Sequence, residues 1–253
     1  MVLSVVAVLW AGVVWLNRRR LAAVDGTRDR SEGTVIFVEP VRWLFVVWGF
    51  KSFVYGLRRA GCRHQVRLFR WSGTAGALLV LPDLMRRGRL LRKAERLARL
   101  VERIADQHPG CPLHLCGYST GCYIAAEALR RIRPNLRVGR VILLAGTFSP
   151  TFPLADLSGR TSGVHTFHSP VDFVINGLGP LLFGCNDRRF SLAGGMVGLR
   201  HAPGFVTQYA WSGADVSLGY LGDHFSITTP RFIAARVAPL LTARGDYRPT
   251  GSE

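Results

Sequence analysis

One stretch constrains the fold more than any other: residues 112–129 read PLHLCGYSTGCYIAAEAL. PLHLC (112–116) suits a buried strand, the alanine-rich segment after Gly121 suits a helix, and only Gly117 to Gly121 lies between them. A strand that becomes a helix over so few residues turns sharply. Glycines on either side let neighbouring backbone and the following helix approach without a Cβ clash. Ser119 sits at the centre of that turn, which exposes its hydroxyl at a helix N-terminus. There the Thr120 amide and the helix dipole can stabilise a developing negative charge.

The remaining apolar runs extend the same architecture. TVIFV (34–38), QVRLF (65–69), VGRVILL (138–144), VHTFH (164–168) and FVTQYAW (205–211) are short and rich in β-branched residues. They read as buried strands alternating with helices, hence a mostly parallel sheet of about six strands covered on both faces. The clearest helix spans about Leu84 to Gln107, where Leu90, Ala94, Leu97, Val101 and Ile104 form one apolar stripe. Its other face carries Arg86, Arg87, Arg92, Arg96, Arg99 and Arg103, read as a solvated surface. A last helix starts near Thr229, with Pro230 suited to its first turn.

Composition narrows the function classes. With 253 residues, 48% of them apolar, the chain is long enough for one domain with a sizeable core. Five cysteines, at 62, 111, 116, 122 and 185, show neither zinc-ligand spacing nor a disulfide framework; they read as buried small hydrophobes in a reducing compartment, and no metal is expected. His165 and His168, three apart on a strand, point to opposite faces and do not share a metal. The formal net charge of +17 is nearly all arginine, since Lys51 and Lys93 are the only lysines. No recognition motif for nucleic acid accompanies that charge, so nucleic-acid binding rests on charge alone and is not expected.

Met1 to Leu16, MVLSVVAVLWAGVVWL, carries no charged side chain and is followed by Asn17 and three arginines, 18–20. A cleaved signal places its positive charge before the apolar run, so the order predicts an anchor. As a helix, sixteen residues rise about 24 Å against roughly 30 Å of hydrocarbon, a short span that a snorkelling Arg18 would extend. The positive-inside rule puts the domain on the cytoplasmic side. The expected layout is an apolar anchor over residues 1–20, a linker over 21–33, the domain over 34–245 and a polar tail over 246–253.

A serine nucleophile needs a base, and the base a group to orient it. Asp172 follows VHTFH by four residues in HSPVD, and His224 lies in a glycine-bearing loop before the last helix, giving the order Ser119, Asp172, His224. Asp156, Asp187 and Asp215 occupy other candidate loops. Asp187 and Arg188 read as an internal pair fastening their loop. The glycine-rich stretch between about Leu181 and Pro203 is the place for a mobile lid.

On GYSTG (117–121), LRRAGC (57–62), RLFRW (67–71), the long helix after Pro82-Asp83-Leu84, HSPVD (168–172), FGCNDRRF (183–190) and the GDH that contains His224, the chain resembles the α/β-hydrolases, and in particular small, uncharacterised ones of planctomycete-type bacteria. The resemblance spans roughly residues 34 to 241. It implies Ser119 as nucleophile, His224 as general base and then acid, and Asp172 as the group that holds the imidazole, with no cofactor. One departure stands out. Where that family has a glycine-rich turn after its first strand, this chain reads VEPVRWLFVVWGF (38–50). Pro40 has no N–H to donate, and Glu39 would oppose an oxyanion if it pointed inwards. The oxyanion donors are then the Thr120 amide and one from Val41 or Arg42.

The expectation is a membrane-tethered serine hydrolase, esterase- or lipase-like, acting on a small-molecule or lipid ester. Transfer to another acceptor stays open. The alternative is a catalytically silent protein of the same fold that binds a ligand or a protein at the membrane.

Overall fold

The sequence TVIFV forms β1 (Thr34–Val38), and all five of its side chains are buried, because the strand is covered on both faces. The computed structural model describes residues 11, 12, 15, 32–41, 47, 49–72 and 87–242. Five further strands flank β1: β2 (Gln65–Phe69), β3 (Leu113–Tyr118), β4 (Val138–Leu144), β5 (Thr161–His168) and β6 (Val206–Ala210). Every neighbouring pair is parallel, in the order β2-β1-β3-β4-β5-β6. From β1 the chain moves one way to β2, then returns past it to build β3 onwards on the other side. The crevice at the C-terminal ends of β1 and β3, where the direction reverses, is where open parallel sheets bind ligands.

Alternation along β1 separates two cores. Ile36 and Val38 pack with the helices α2 (Arg87–Gln107) and α3 (Thr120–Leu129), whereas Val35 and Phe37 pack with α1 (Phe50–Arg59) and the C-terminal helix. In α2 the expected stripe of Leu90, Ala94, Leu97, Val101 and Ile104 is buried. Truncating Leu97 there removes contacts worth about 2–5 kcal/mol. The chain runs on from β5 into a helix over 174–183, here α4, in which a π-helical turn (Val174–Leu178) passes into Gly179–Phe183. The C-terminal helix, α5, covers 230–242 and begins at Pro230. Gly56 of α1 lets α5 close in: a Cβ there would lie 2.5 Å from Cβ of Ile233.

The strands match their expected positions within a few residues. The glycine-rich 181–203 stretch is held against the sheet. It is fastened to the end of β4 by Asn186 N to Thr147 O, Gly194 N to Phe148 O and Gly195 N to Gly146 O. Its glycines answer to close packing, since a Cβ on Gly195 would lie 2.5 Å from the carbonyl carbon of Ala145. The expected anchor, linker and polar tail fall almost wholly outside the described residues. Among the described residues no helix is long and apolar enough to cross a membrane.

Candidate active site

Ser119 adopts φ 56° and ψ −125° immediately before α3. A non-glycine residue held there stores on the order of 1–3 kcal/mol, which persists only where surrounding contacts over-determine it. They do so here. Ser119 N donates to Leu144 O at 2.9 Å and Cys122 N to Ser119 O at 3.0 Å. A Cβ on Gly117 would lie 2.6 Å from Cα of Cys122, and one on Gly121 would lie 2.3 Å from Val38 O. Both glycines of the motif are therefore required by contact, and the strand-to-helix turn is as sharp as the sequence predicts.

Asp172 and His224, 52 residues apart, meet at this end of the sheet. His224 Nδ1 lies 2.7 Å from Asp172 Oδ2, and both side chains are buried. The residue before Ser119 ties the imidazole to the turn: the Tyr118 hydroxyl donates to His224 O at 2.7 Å, and its ring stacks on the imidazole with centroids 5.4 Å apart. His224 Nδ1 bonds to Asp172, its carbonyl accepts from Tyr118, and among the described residues no hydrogen bond joins His224 to Ser119 Oγ. In ligand-free sites such a contact is commonly long and tightens with substrate. Beyond His224 the loop is organised by Asp223, which accepts from the amides of Phe225 and Ser226 and from the Ser226 hydroxyl. Burial works against the Asp223 charge, but these hydrogen bonds outweigh it and hold its carboxyl below the usual range.

The other candidate acids are engaged elsewhere. Asp156 pairs with Arg130, and Asp215 pairs with Arg236 while capping the turn at Ser212. The expected Asp187–Arg188 pair does not form. Asp187 instead accepts from Ser149 N at 2.9 Å and Ser149 Oγ at 2.5 Å, while Arg188 is exposed with φ 71°. A turn that points adjacent side chains apart leaves Asp187 facing the end of β4, where a buried amide and hydroxyl need an acceptor.

Glu39 resolves the concern raised by the segment after β1. Its carboxylate is fully buried and turned towards the end of β2, accepting from Trp71 N at 3.0 Å, Ser72 N at 3.2 Å and Ser72 Oγ at 3.0 Å. Its charge is thus committed to two amides and a hydroxyl. Val41 is buried against the α2 and α3 core, and the contact of Gly121 with Val38 O and Glu39 O sets this segment beside the Ser119 turn. Arg42 lies outside the described residues. Thr120 is fully buried at the first position of α3.

The sequence reading passed over Asn176. Its amide nitrogen lies 2.6 Å from Asp172 Oδ2, 3.2 Å from Ala145 O and 3.4 Å from His224 Nδ1, and the side chain has no exposure. One signal pointed to it: Asp172 and Asn176 stand four apart where a helix begins, a spacing that brings side chains together. Among the described residues no three His, Cys, Asp or Glu side chains come together as a metal site. Burial pushes the thiols of Cys116 and Cys122, which flank the turn, well above the usual range, so neither is a ready nucleophile.

A parallel sheet, a strained serine between β3 and α3, and an acid and a histidine following in that chain order make up a recognisable arrangement. The fold is that of the α/β-hydrolases. No protein-family model and no curated protein matches the chain. Among solved structures, it is similar to TT1662 from Thermus thermophilus at 17% identity, over 86% of this chain and 92% of that one, with a TM-score of 0.51. It also matches an alpha-beta serine hydrolase homologue from Coxiella burnetii, at 19% identity over 85% and 88% of the two chains (TM-score 0.48). A third match is a Trichoderma reesei cutinase in complex with a phosphonate inhibitor, at 14% identity over 96% and 93% (TM-score 0.43).

Proposed function

We propose that the protein is a serine hydrolase that cleaves an ester or related acyl bond through an acyl-enzyme. The observation that carries this reading is the buried Asp172–His224 pair, 2.7 Å apart, at the same sheet end as the strained Ser119 turn. In the proposed reaction Ser119 Oγ attacks the acyl carbon while His224 takes its proton. His224 then returns that proton to the leaving alkoxide as the acyl–oxygen bond breaks, and water, activated by the same imidazole, releases the acid. Asp172 fixes the tautomer with Nδ1–H towards itself and stabilises the imidazolium as it forms. Asn176 donates to the same Asp172 oxygen, Oδ2, that faces His224. The Thr120 amide and that of Val41 are the oxyanion donors; losing one such donor costs about 2.7–4 kcal/mol of transition-state stabilisation. No cofactor takes part. Residues 1–16 tether the domain to the cytoplasmic face of a membrane, which favours lipidic esters.

The test is covalent labelling of the purified chain by a fluorophosphonate probe, mapped by peptide mass beside Ser119→Ala and His224→Ala. The expected result is labelling at Ser119 that disappears in both variants. A folded wild-type chain that takes up no probe would refute the catalytic reading and favour a silent binding protein.

A further inference from the structure

Helix α4 starts two residues after Asp172 and is inverted relative to an ordinary surface helix. It buries Asn176, Gly177 and Pro180, while Val174 (68%), Leu178 (43%), Leu181 (46%) and Leu182 (68%) are exposed. The spacing 174, 178, 181, 182 puts those four on one face. The turn that follows extends the face: Cys185 N donates to Arg189 O at 2.8 Å, and Phe190, 71% exposed, brings its ring beside Gly184 at the end of the helix. A contiguous apolar surface of this kind on a folded domain marks a docking site.

Its charge selects the occupant. Between Asp172 and Asp215 the chain has a single acidic residue, Asp187, and that carboxylate is held by Ser149. Arg188 and Arg189 stand exposed beside Phe190. A second copy of the chain docked here by a two-fold axis would bring one arginine-edged face against another with no acidic group to answer it, and like-charged surfaces resist that contact. Aliphatic side chains on one helix face with guanidinium groups at their edge fit an anionic bilayer surface instead.

We propose that α4 and the 188–190 turn form a docking surface for anionic lipid bilayers. The helix lies in the interfacial plane, and Arg188 and Arg189 meet headgroup phosphates. The site beside Asp172 then opens towards the bilayer, although docking itself requires no catalysis.

The experiment places an environment-sensitive NBD label at Leu182→Cys in the full-length chain. Cys111, the one half-buried thiol, is replaced by serine, and the other four cysteines are buried. Arg96→Cys, on the exposed face of α2, carries the control label. The label at 182 is expected to brighten several-fold and shift to the blue with phosphatidylcholine vesicles containing phosphatidylglycerol, while the label at 96 stays silent. Arg188→Glu with Arg189→Glu should abolish the response at 182. A silent label at 182 on chain that sediments with the vesicles would overturn the proposal, leaving residues 1–16 as the attachment. So would an equal response to vesicles of phosphatidylcholine alone, or a response that follows protein concentration without lipid. The readout does not involve Ser119, so failure of the catalytic reading and failure of this one are distinguishable.

Discussion

Histidines sit at both ends of the sheet at nearly equal burial, and their partners differ. At the C-terminal end His224, 6% exposed, faces the Asp172 carboxylate. At the N-terminal end His64 and His114, 8% and 5% exposed, face each other at 5.2 Å, with Cys62 Sγ 3.2 Å from His64 Nδ1. Burial, then His64 and Arg140, push His114 down to about 3, and its Nδ1 accepts the Arg140 amide. Burial also lowers His64, against the pull of Glu32 and with the help of Arg58. Desolvation alone makes a neutral, structural imidazole. An imidazole that is to accept a proton during a reaction needs an anion hydrogen-bonded to it; His224 has the Asp172 carboxylate at 2.7 Å, whereas His114 faces His64 and Arg140.

The largest expected effect breaks the contrast at its source. Asp172→Asn leaves the shape but reverses the favoured tautomer of His224, and the fluorophosphonate labelling rate should fall on the order of 10⁴-fold. A fall of less than tenfold would mean that Asp172 does not orient the base. Asn176→Ala removes the second hydrogen bond to Asp172 Oδ2; it should slow labelling by about 10- to 100-fold, the equivalent of one charge-assisted hydrogen bond.

The other end of the sheet should answer to pH and be indifferent to the probe. His114 has its folded pKa depressed to about 3. The unfolded chain therefore takes up a proton near pH 6.5 that the folded chain refuses, and stability is full above that pH and lost as pH falls towards 3. At pH 5 this single group accounts for about 2 kcal/mol. Urea unfolding at pH 7 and pH 5 should show His114→Gln losing less stability than wild type, with labelling of Ser119 unchanged at pH 7. An identical pH dependence in the two proteins would show that His114 is not kept neutral by folding. The smallest effect is expected at Glu39→Gln, which keeps an acceptor for Trp71 N and Ser72 N but removes its charge. Stability should fall by about 1 kcal/mol in thermal unfolding.

Much of this was legible in the chain because it is local. Strand positions follow from short β-branched runs, the α2 stripe from 3.6-residue periodicity, and the Ser119 turn from two glycines whose missing Cβ atoms leave room for Cys122 and Val38. The failures were non-local. Glu39 reads as a threat to an oxyanion until its carboxylate is seen to hold Trp71 and Ser72, more than thirty residues away. Asp187 reads as the partner of its neighbour Arg188, yet it fastens Ser149. The glycines of 184–198 read as mobility, whereas at 194 and 195 they mark close packing on Phe148 and Ala145.

The sequence by itself determined the alternating parallel architecture, the serine at the β3–α3 turn and the chain order of Ser119, Asp172 and His224, since hydrophobic period and turn chemistry act over a few residues. Only the tertiary structure decided which aspartate meets His224, that Asn176 braces it, that Glu39 is turned aside, and that α4 shows its apolar face to the outside. Those outcomes depend on which groups the fold brings within hydrogen-bond range, and at what burial. Residue type and spacing leave both undetermined until the sheet is assembled.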